Sequence, residues 1–111
     1  MNDQLEREFL LEQFRDHLAL EAGNSANTVE SYLRDLRRMA QFAAGLGVSR
    51  PEAVTPRQLH DFVFMLKDLG MSSATIRRQV SAVRTYFRFL AAEGLSRTDP
   101  SERLESPRRG R

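Results

Sequence analysis

Residues 75–90 read TIRRQVSAVRTYFRFL, and this stretch decides the fold. Its apolar side chains recur every three or four residues, which is the period of one face of an α-helix. The buried stripe that this period predicts consists of Ile76, Val80, Val83, Phe87 and Leu90. Neither Gly nor Pro interrupts the stretch, so the sequence predicts one long helix that begins at Ser72 or Ser73 and ends near Glu93, before Gly94.

Three more segments have the helical period, at about residues 5–21, 27–45 and 56–69. Their predicted buried stripes are Leu11, Phe14 and Leu18 in the first, Val29, Leu33, Leu36, Ala40 and Ala43 in the second, and Leu59, Phe62, Val63 and Leu66 in the third. No run of four or more residues alternates apolar and polar side chains in the way that a half-buried strand would. The sequence therefore predicts an all-α protein, a compact bundle of four main helices.

Several short patterns mark where helices begin. Asn27 followed by Glu30 fits a capping box, with Asn27 as the N-cap of the second helix. Residues 55–58 read TPRQ and give the third helix a Thr cap, a Pro at the first helical position and a Gln at the third. Residues 99–101 read DPS and can start a short extra turn near the C-terminus that contains Leu104.

Length and composition indicate one folded domain. The chain has 111 residues, of which 41% are hydrophobic and 29% are charged, the balance of a folded protein with a single core. We expect the domain to span residues 1–107, with a basic linker stub at 108–111. No apolar run approaches the ~20 residues of a membrane span, and the N-terminus lacks the basic region of a signal peptide, so we expect a cytoplasmic protein without membrane contact.

The residue types that carry most enzyme chemistry are scarce. There is no Cys, which excludes disulfides, thiolate nucleophiles and zinc knuckles, and the two histidines, His17 and His60, are expected on the surface. No spacing resembles a metal site, and the glycines occur singly rather than in a phosphate-binding loop. We therefore expect no catalytic residue, no metal and no cofactor in this chain.

Basic charge is concentrated toward the C-terminal end. Residues 1–24 carry two basic and six acidic side chains, whereas residues 71–111 carry nine basic and four acidic ones. One face of the last predicted helix holds Arg77, Ser81, Arg84 and Arg88, and no Asp or Glu occurs between residues 75 and 92. An uncompensated positive face of this kind is expected where a protein contacts a nucleic-acid backbone. One face of the second helix adds groups that can contact phosphates and bases, namely Thr28, Ser31, Arg34 and Arg38.

Three segments resemble the N-terminal core-binding domain of the tyrosine recombinases. Residues 25–36 read SANTVESYLRDL and resemble the motif S-x-N-T-x-x-S/A-Y-x-x-D-L. Residues 75–90 are similar to T-x-x-R-x-L-S-A-x-R-x-F-F-x-F-L, with Val80 where the family usually has Leu. Residues 99–108 are similar to the exit motif D-P-S-x-x-L-x-x-P-K/R. The resemblance spans nearly the whole chain in the same order, and it is strongest to the Xer-type members, XerD more than XerC.

This resemblance implies a SAM-like fold that forms half of a C-shaped clamp around duplex DNA. In the family, a C-terminal domain forms the other half and carries the catalytic Arg, Lys, His and Tyr. We expect that domain to be absent from this chain, so the chain alone would bind DNA without cutting it. The longer parent would cleave and rejoin DNA at recombination sites, as in chromosome-dimer resolution, as a tetramer on two duplexes. We expect the isolated domain to be a monomer.

The resemblance places the candidate DNA-facing residues on two helices. They are Asn27, Thr28, Ser31 and Tyr32 in the second helix and Arg77, Arg78, Ser81 and Arg84 in the fourth, and the helical faces add Arg34 and Arg88. Asn27 can equally be only a cap, Tyr32 can be packed inside, and Ser81 can be small merely to let helices approach. Arg77 and Arg84 are the strongest candidates, because burial does not explain them and no acidic neighbour in the sequence pairs with them.

Other interpretations stay open at this point. The chain can be a small helical adaptor that binds another protein through an apolar patch, built from Leu10, Leu20, Met39, Phe42, Phe64, Met71 and Phe89. Phe64 and Phe89 are the main reason, because both fall off the core stripes of their helices. A phage or transposon integrase shares the same motifs. A helix-turn-helix repressor is disfavoured, because the short helix, tight turn and recognition helix are not found at the required spacing.

Overall fold

The computed structural model describes residues 3–106, and every regular element in that range is helical. Five α-helices occur there: α1 (Asp3–Glu8), α2 (Leu11–Asp16), α3 (Ala26–Gly45), α4 (Pro56–Asp68) and α5 (Ser73–Ala92). A π-helical turn at His17–Glu21 follows α2, and a 3-10 turn at Pro51–Ala53 precedes α4. The prediction of an all-α, compact bundle is confirmed.

The two longest helices, α3 and α5, pack against each other and form the centre of the core. All five residues of the predicted α5 stripe are buried, and so are the predicted stripes of α3 and α4. The largest fully buried side chains come from four parts of the chain and include Phe9, Phe14, Phe62, Tyr86 and Phe87. Burial of these apolar surfaces is the main stabilising contribution to a domain of this size.

The N-terminal segment is not the single helix that the sequence predicts for residues 5–21. The chain breaks at Leu10, whose backbone φ of 57° is left-handed, and it ends in a π-helical turn. The break allows Phe9 and Leu11 both to be buried, although on a continuous helix their side chains would point about 200° apart. The gain in buried apolar surface offsets the cost of a left-handed Leu.

The cap predictions have different outcomes. Thr55 forms the predicted capping box: its hydroxyl accepts from the backbone N–H of Gln58 at 3.1 Å, and its own N–H donates to Gln58 Oε1 at 3.0 Å. Asn27 as the N-cap of α3 is wrong. Ser25 holds that position with extended backbone, and its Oγ accepts from the N–H of Thr28 at 3.2 Å, so Asn27 already lies inside the first turn.

The segment after α5 forms the predicted short turn. Asp99 Oδ1 accepts hydrogen bonds from the backbone N–H and the hydroxyl of Ser101, at 2.8 and 2.6 Å. Leu104, a few residues further on, is buried against the core. The linker stub expected at 108–111 lies outside the described residues.

Tyr86 joins α5 to the N-terminal segment. Its hydroxyl donates to the backbone carbonyl of Phe9 at 2.6 Å, and its ring is fully buried against Phe14 and Phe87. Burial raises the pKa of the Tyr86 phenol well above its usual value of about 10.

This raised pKa predicts a loss of stability at alkaline pH. Between the unfolded and the folded pKa, the native protein keeps a proton that the unfolded chain releases, so the free energy of unfolding falls as pH rises above about 10. Tyr86→Phe removes this titration, and at neutral pH it costs about 1 kcal/mol for the lost hydrogen bond. Urea unfolding at a series of pH values should show a flatter alkaline decline for Tyr86→Phe. An equally steep decline in wild type and variant would contradict the assignment.

Candidate nucleic-acid interface

A buried polar junction connects α3 to α5. Arg78 donates from Nε and Nη2 to the two carboxylate oxygens of Asp35, both at 2.9 Å. Gln79 Nε2 donates to the backbone carbonyl of Asp35 at 2.8 Å, and Arg38 Nη1 donates to Gln79 Oε1 at 3.4 Å. Asp35 and Gln79 are fully buried, whereas 43% of the Arg78 side chain is exposed. The junction therefore extends from the core to the surface.

Arg78 is stabilised in its charged form by this arrangement. Its hydrogen bond to the Asp35 carboxylate raises the pKa of Arg78, desolvation acts in the opposite direction, and the charge of Asp35 raises the pKa further. A planar guanidinium with two parallel N–H···O bonds is the strongest geometry for such a pair. The pair connects α5 to α3, and it occupies two of the N–H donors of Arg78.

Sequence reasoning missed this junction. From the sequence, Arg78 is expected to face DNA and Asp35 has no assigned role, because hydrophobic periodicity cannot show that two polar side chains pair between helices. A signal was present: Asp35 and Arg78 are fixed letters of the motifs that residues 25–36 and 75–90 resemble. Polar residues that a motif specifies beside a buried stripe are candidates for hydrogen-bonded partners, because buried polar groups are almost always hydrogen-bonded.

Next to the junction, one side of α5 carries a row of cationic side chains, which we call the α5 row: Arg77, Ser81, Arg84 and Arg88. Together with the chain that follows α5, the row lines a groove of about 560 Å³, the α5 groove, whose other residues are Val80, Thr85, Leu104, Glu105 and Ser106. Within residues 3–106, no carboxylate oxygen lies within 4.0 Å of a guanidinium nitrogen of the three Arg residues of the row. Their positive charge is therefore available to a ligand.

Arg84 differs from the rest of the row. It is half-buried, and its Nη1 donates to the backbone carbonyl of Leu104 at 3.2 Å. No carboxylate of residues 3–106 pairs with Arg84, as the sequence predicts, but its partial burial and this hydrogen bond to a carbonyl give it a structural contact that the sequence does not predict. Arg77, Ser81 and Arg88 are exposed.

The N-terminal part of α3 contributes a second, smaller groove of about 330 Å³, the α3 groove. It is lined by Asn27, Thr28, Ser31, Tyr32 and Arg78. Tyr32 is half-buried against the core, and the Thr28 hydroxyl accepts from Ser25 Oγ at 3.1 Å. Asn27 is exposed.

The structure brings nine of the ten sequence-predicted site residues into these two grooves. The grooves are neighbours, because the consecutive residues Arg77 and Arg78 line one each. Arg34, the tenth, is exposed but lines neither groove. The result is a polar surface with short hydroxyls on α3 and guanidinium groups on α5. These are the groups that proteins use to bind phosphate oxygens.

The remaining candidates do not form a chemical site. The His17 ring lies 4.7 Å from that of Phe89 between ring centroids, and His60 lies beside exposed Phe64. Because it packs against Phe14 and His17, Phe89 is only 8% exposed, so its predicted place on an apolar docking surface is wrong. In the part of the chain that the structure describes, no cluster of His, Cys, Asp or Glu could hold a metal ion, and no helix is long and apolar enough to cross a membrane.

The buried junction predicts unequal effects of substituting two adjacent arginines. Arg78→Ala leaves the fully buried Asp35 carboxylate without its partner and should lower the free energy of unfolding by about 3 kcal/mol. Arg77→Ala, the matched control, removes an exposed cation with no ion pair and should change it by less than about 0.5 kcal/mol. Urea unfolding at neutral pH measures both values. Equal unfolding midpoints for the two variants would contradict a stabilising role of the junction.

Comparison with known proteins shows the family to which the chain belongs. Residues 11–94 match the family model described as "Phage integrase, N-terminal SAM-like domain". The chain is 35% identical to tyrosine recombinase XerD of Oceanobacillus iheyensis over 105 residues, which cover 94% of this chain and 35% of the relative. It is 35% identical to tyrosine recombinase XerC of Roseiflexus castenholzii over 108 residues, which cover 97% of this chain and 32% of the relative.

A solved structure, the integrase from mycobacterium phage Brujita, has a similar fold, with a TM-score of 0.73 and 24% identity. The likeness covers 92% of this chain and 33% of the integrase. The chain thus spans about a third of the length of the relatives it matches. The family that the motifs resemble is confirmed: this chain belongs to the N-terminal SAM-like domains of the phage integrase family, the core-binding domains of tyrosine recombinases.

Proposed function

We propose that this chain is the DNA-binding half-clamp of a Xer-type site-specific tyrosine recombinase, and that by itself it binds duplex DNA without cutting it. Residues 1–107 would form the binding domain, and residues 108–111 a basic linker toward the catalytic domain. The Xer-type assignment is supported by the relatives named XerD and XerC, which match nearly the whole length of this chain.

The observation that carries the proposal is the unpaired charge of the α5 row. Arg77, Arg84 and Arg88 face one groove, and no carboxylate of the described chain lies within 4.0 Å of them. Like charges gathered on one helix face repel each other, and the structure offers no internal ion pair as compensation. A DNA backbone would supply that compensation, with release of its condensed counterions as the driving force.

The two grooves would make different contacts with DNA. In the α5 groove, Arg77 and Arg88 are free to reach phosphates or the guanine edge, for which the guanidinium fork is suited. Across the junction, Thr28 and Ser31 offer hydroxyls to phosphate oxygens, while Asn27 and Tyr32 border the same surface. The proposed interface also includes Ser81 and Arg84 in the α5 groove, and Arg34, an exposed residue of α3 that lines neither groove.

Arg78 has a different share in this proposal. Its guanidinium donates from Nε and Nη2 to Asp35, so these two donors are not available to a phosphate. Its exposed part still borders the α3 groove. We assign Arg78 mainly to holding the two DNA-facing helices together, with at most one weak contact to the backbone.

The full-length protein would act on two DNA sites at once. As the resemblance of its motifs implies, it would cleave and rejoin recombination sites, as in chromosome-dimer resolution, as a tetramer in the cytoplasm. The isolated domain would be a monomer. A phage or transposon integrase as the parent would use the same domain, and the match to the family model described as "Phage integrase, N-terminal SAM-like domain" supports that alternative.

A protein-binding adaptor is the second candidate function, and the observation that favours it is the exposed apolar side of α4. Phe64 is 55% exposed and lies edge-on to His60, and Leu69 at the end of α4 is also exposed. The wider patch is not formed. Met39 is buried, Leu10, Phe42 and Met71 are half-buried, and only Leu20 of the remaining residues is exposed. An apolar patch binds with little dependence on salt, which separates this function from DNA binding.

The α5 row predicts a specific change in salt dependence. Arg77→Ala/Arg88→Ala should weaken binding to a duplex of about 30 base pairs and flatten the plot of log affinity against log salt by about two units. The control, Arg50→Ala/Arg57→Ala, removes the same charge from exposed residues that line neither groove, and should keep nearly the wild-type slope. Fluorescence anisotropy over a salt series measures both slopes.

Two results would contradict the proposal. Equal losses of slope in both double variants would mean that only net charge matters and that the α5 row is not the interface. Wild-type binding that is absent even at low salt would remove DNA as the partner.

A further inference from the structure

One acidic side chain lies where a DNA-binding groove should have none. Glu105 lines the α5 groove together with Arg77, Arg84 and Arg88. It is exposed, and its carboxylate has no Arg, Lys or His nitrogen within 4.0 Å in the described chain. A carboxylate at the edge of a cationic groove repels a phosphate that the arginines of the groove would otherwise attract.

The backbone on either side of this carboxylate is anchored rather than free. The Leu104 side chain is buried in the core, and its carbonyl accepts the hydrogen bond from Arg84 Nη1 at 3.2 Å. The N–H of Leu104 donates to the carbonyl of Ser101 at 3.0 Å, and Ser101 is itself bonded to Asp99. These contacts hold Glu105 at the rim of the groove. Arg84 thereby serves both as a cation of the α5 row and as the anchor of the segment that follows α5.

Glu105 also borders two depressions outside the α5 groove. It borders a depression of about 200 Å³ with His60 and Lys67 of α4, and another of about 450 Å³ with Arg103. Glu105 therefore lines three depressions at once, with the α5 row in one of them and Lys67 of α4 in another.

We propose that Glu105 competes with DNA phosphates for the cations of the α5 row, and so lowers the affinity of this domain for DNA of any sequence. This inference rests on the proposed function. A phosphate that approaches the α5 groove is attracted by the arginines of the row and repelled by Glu105. The negative charge of Glu105 lowers the net positive charge of the groove by about one unit. Binding turns the carboxylate toward α4. The competition weakens non-specific binding, which depends almost wholly on phosphate contacts.

The test compares two isosteric substitutions in the same segment. Glu105→Gln removes the charge in the groove, and Glu102→Gln removes the same charge from an exposed position that lines neither groove. At about 50 mM salt, Glu105→Gln should bind a random-sequence duplex about fivefold more tightly than wild type, and Glu102→Gln less than about twofold. The difference should shrink as salt is added, because screening weakens the repulsion.

The outcomes separate this inference from the proposed function. Equal affinities of the two variants, or weaker binding by Glu105→Gln, would overturn the competition while leaving DNA binding intact. Tighter binding by Glu105→Gln alone supports it, including the case in which only this variant binds detectably. If neither wild type nor variant binds duplex at low salt, both the proposed function and this inference fail.

Discussion

The ion pair between Asp35 and Arg78 joins the two longest helices, and the relative position of both grooves depends on it. Asp35 is fully buried, so its carboxylate needs the two hydrogen bonds that Arg78 supplies. Gln79 bonds the backbone of the same residue and adds a second tie between α3 and α5. These contacts hold the α3 groove and the α5 groove next to each other, since the consecutive residues Arg78 and Arg77 line one each.

The arginines of α5 have different surroundings, and some are paired inside the protein while others are exposed. Arg78 turns inward to satisfy a buried carboxylate, whereas its neighbour Arg77 remains unpaired at the surface. Arg84 lies between these extremes, because it is half-buried and bonded to the carbonyl of Leu104. Helix geometry explains the division: successive side chains point about 100° apart, so adjacent residues at the edge of a buried stripe have different surroundings. One arginine of the helix is thus paired inside the protein, whereas its neighbour keeps an unpaired charge at the surface.

Much of the fold could be predicted from the sequence, because hydrophobic period and cap chemistry are local signals. The α5 stripe and the Thr55 capping box follow directly from residue order. The left-handed Leu10 could not be predicted, since it arises from tertiary packing that buries Phe9 and Leu11 together. Phe89 was misplaced for a similar reason: its partners Phe14 and His17 come from a segment far away in the sequence.

The candidate site was predictable in its residues and less so in its arrangement. The spacing of polar residues predicts the polar faces of α3 and α5. It does not predict which arginines already have a partner, because Asp35 and Arg78 are 43 residues apart and Arg84 and Leu104 are 20 residues apart. Such long-range polar contacts leave little trace in local composition.

The central claim, that the α3 and α5 grooves form one DNA-binding surface, is tested most directly by an NMR titration of the isotope-labelled chain with duplex DNA. We predict that the largest amide shift changes fall in residues 27–34 and 77–88. Changes centred on residues 60–67 of α4, or no changes at low salt, would contradict the claim.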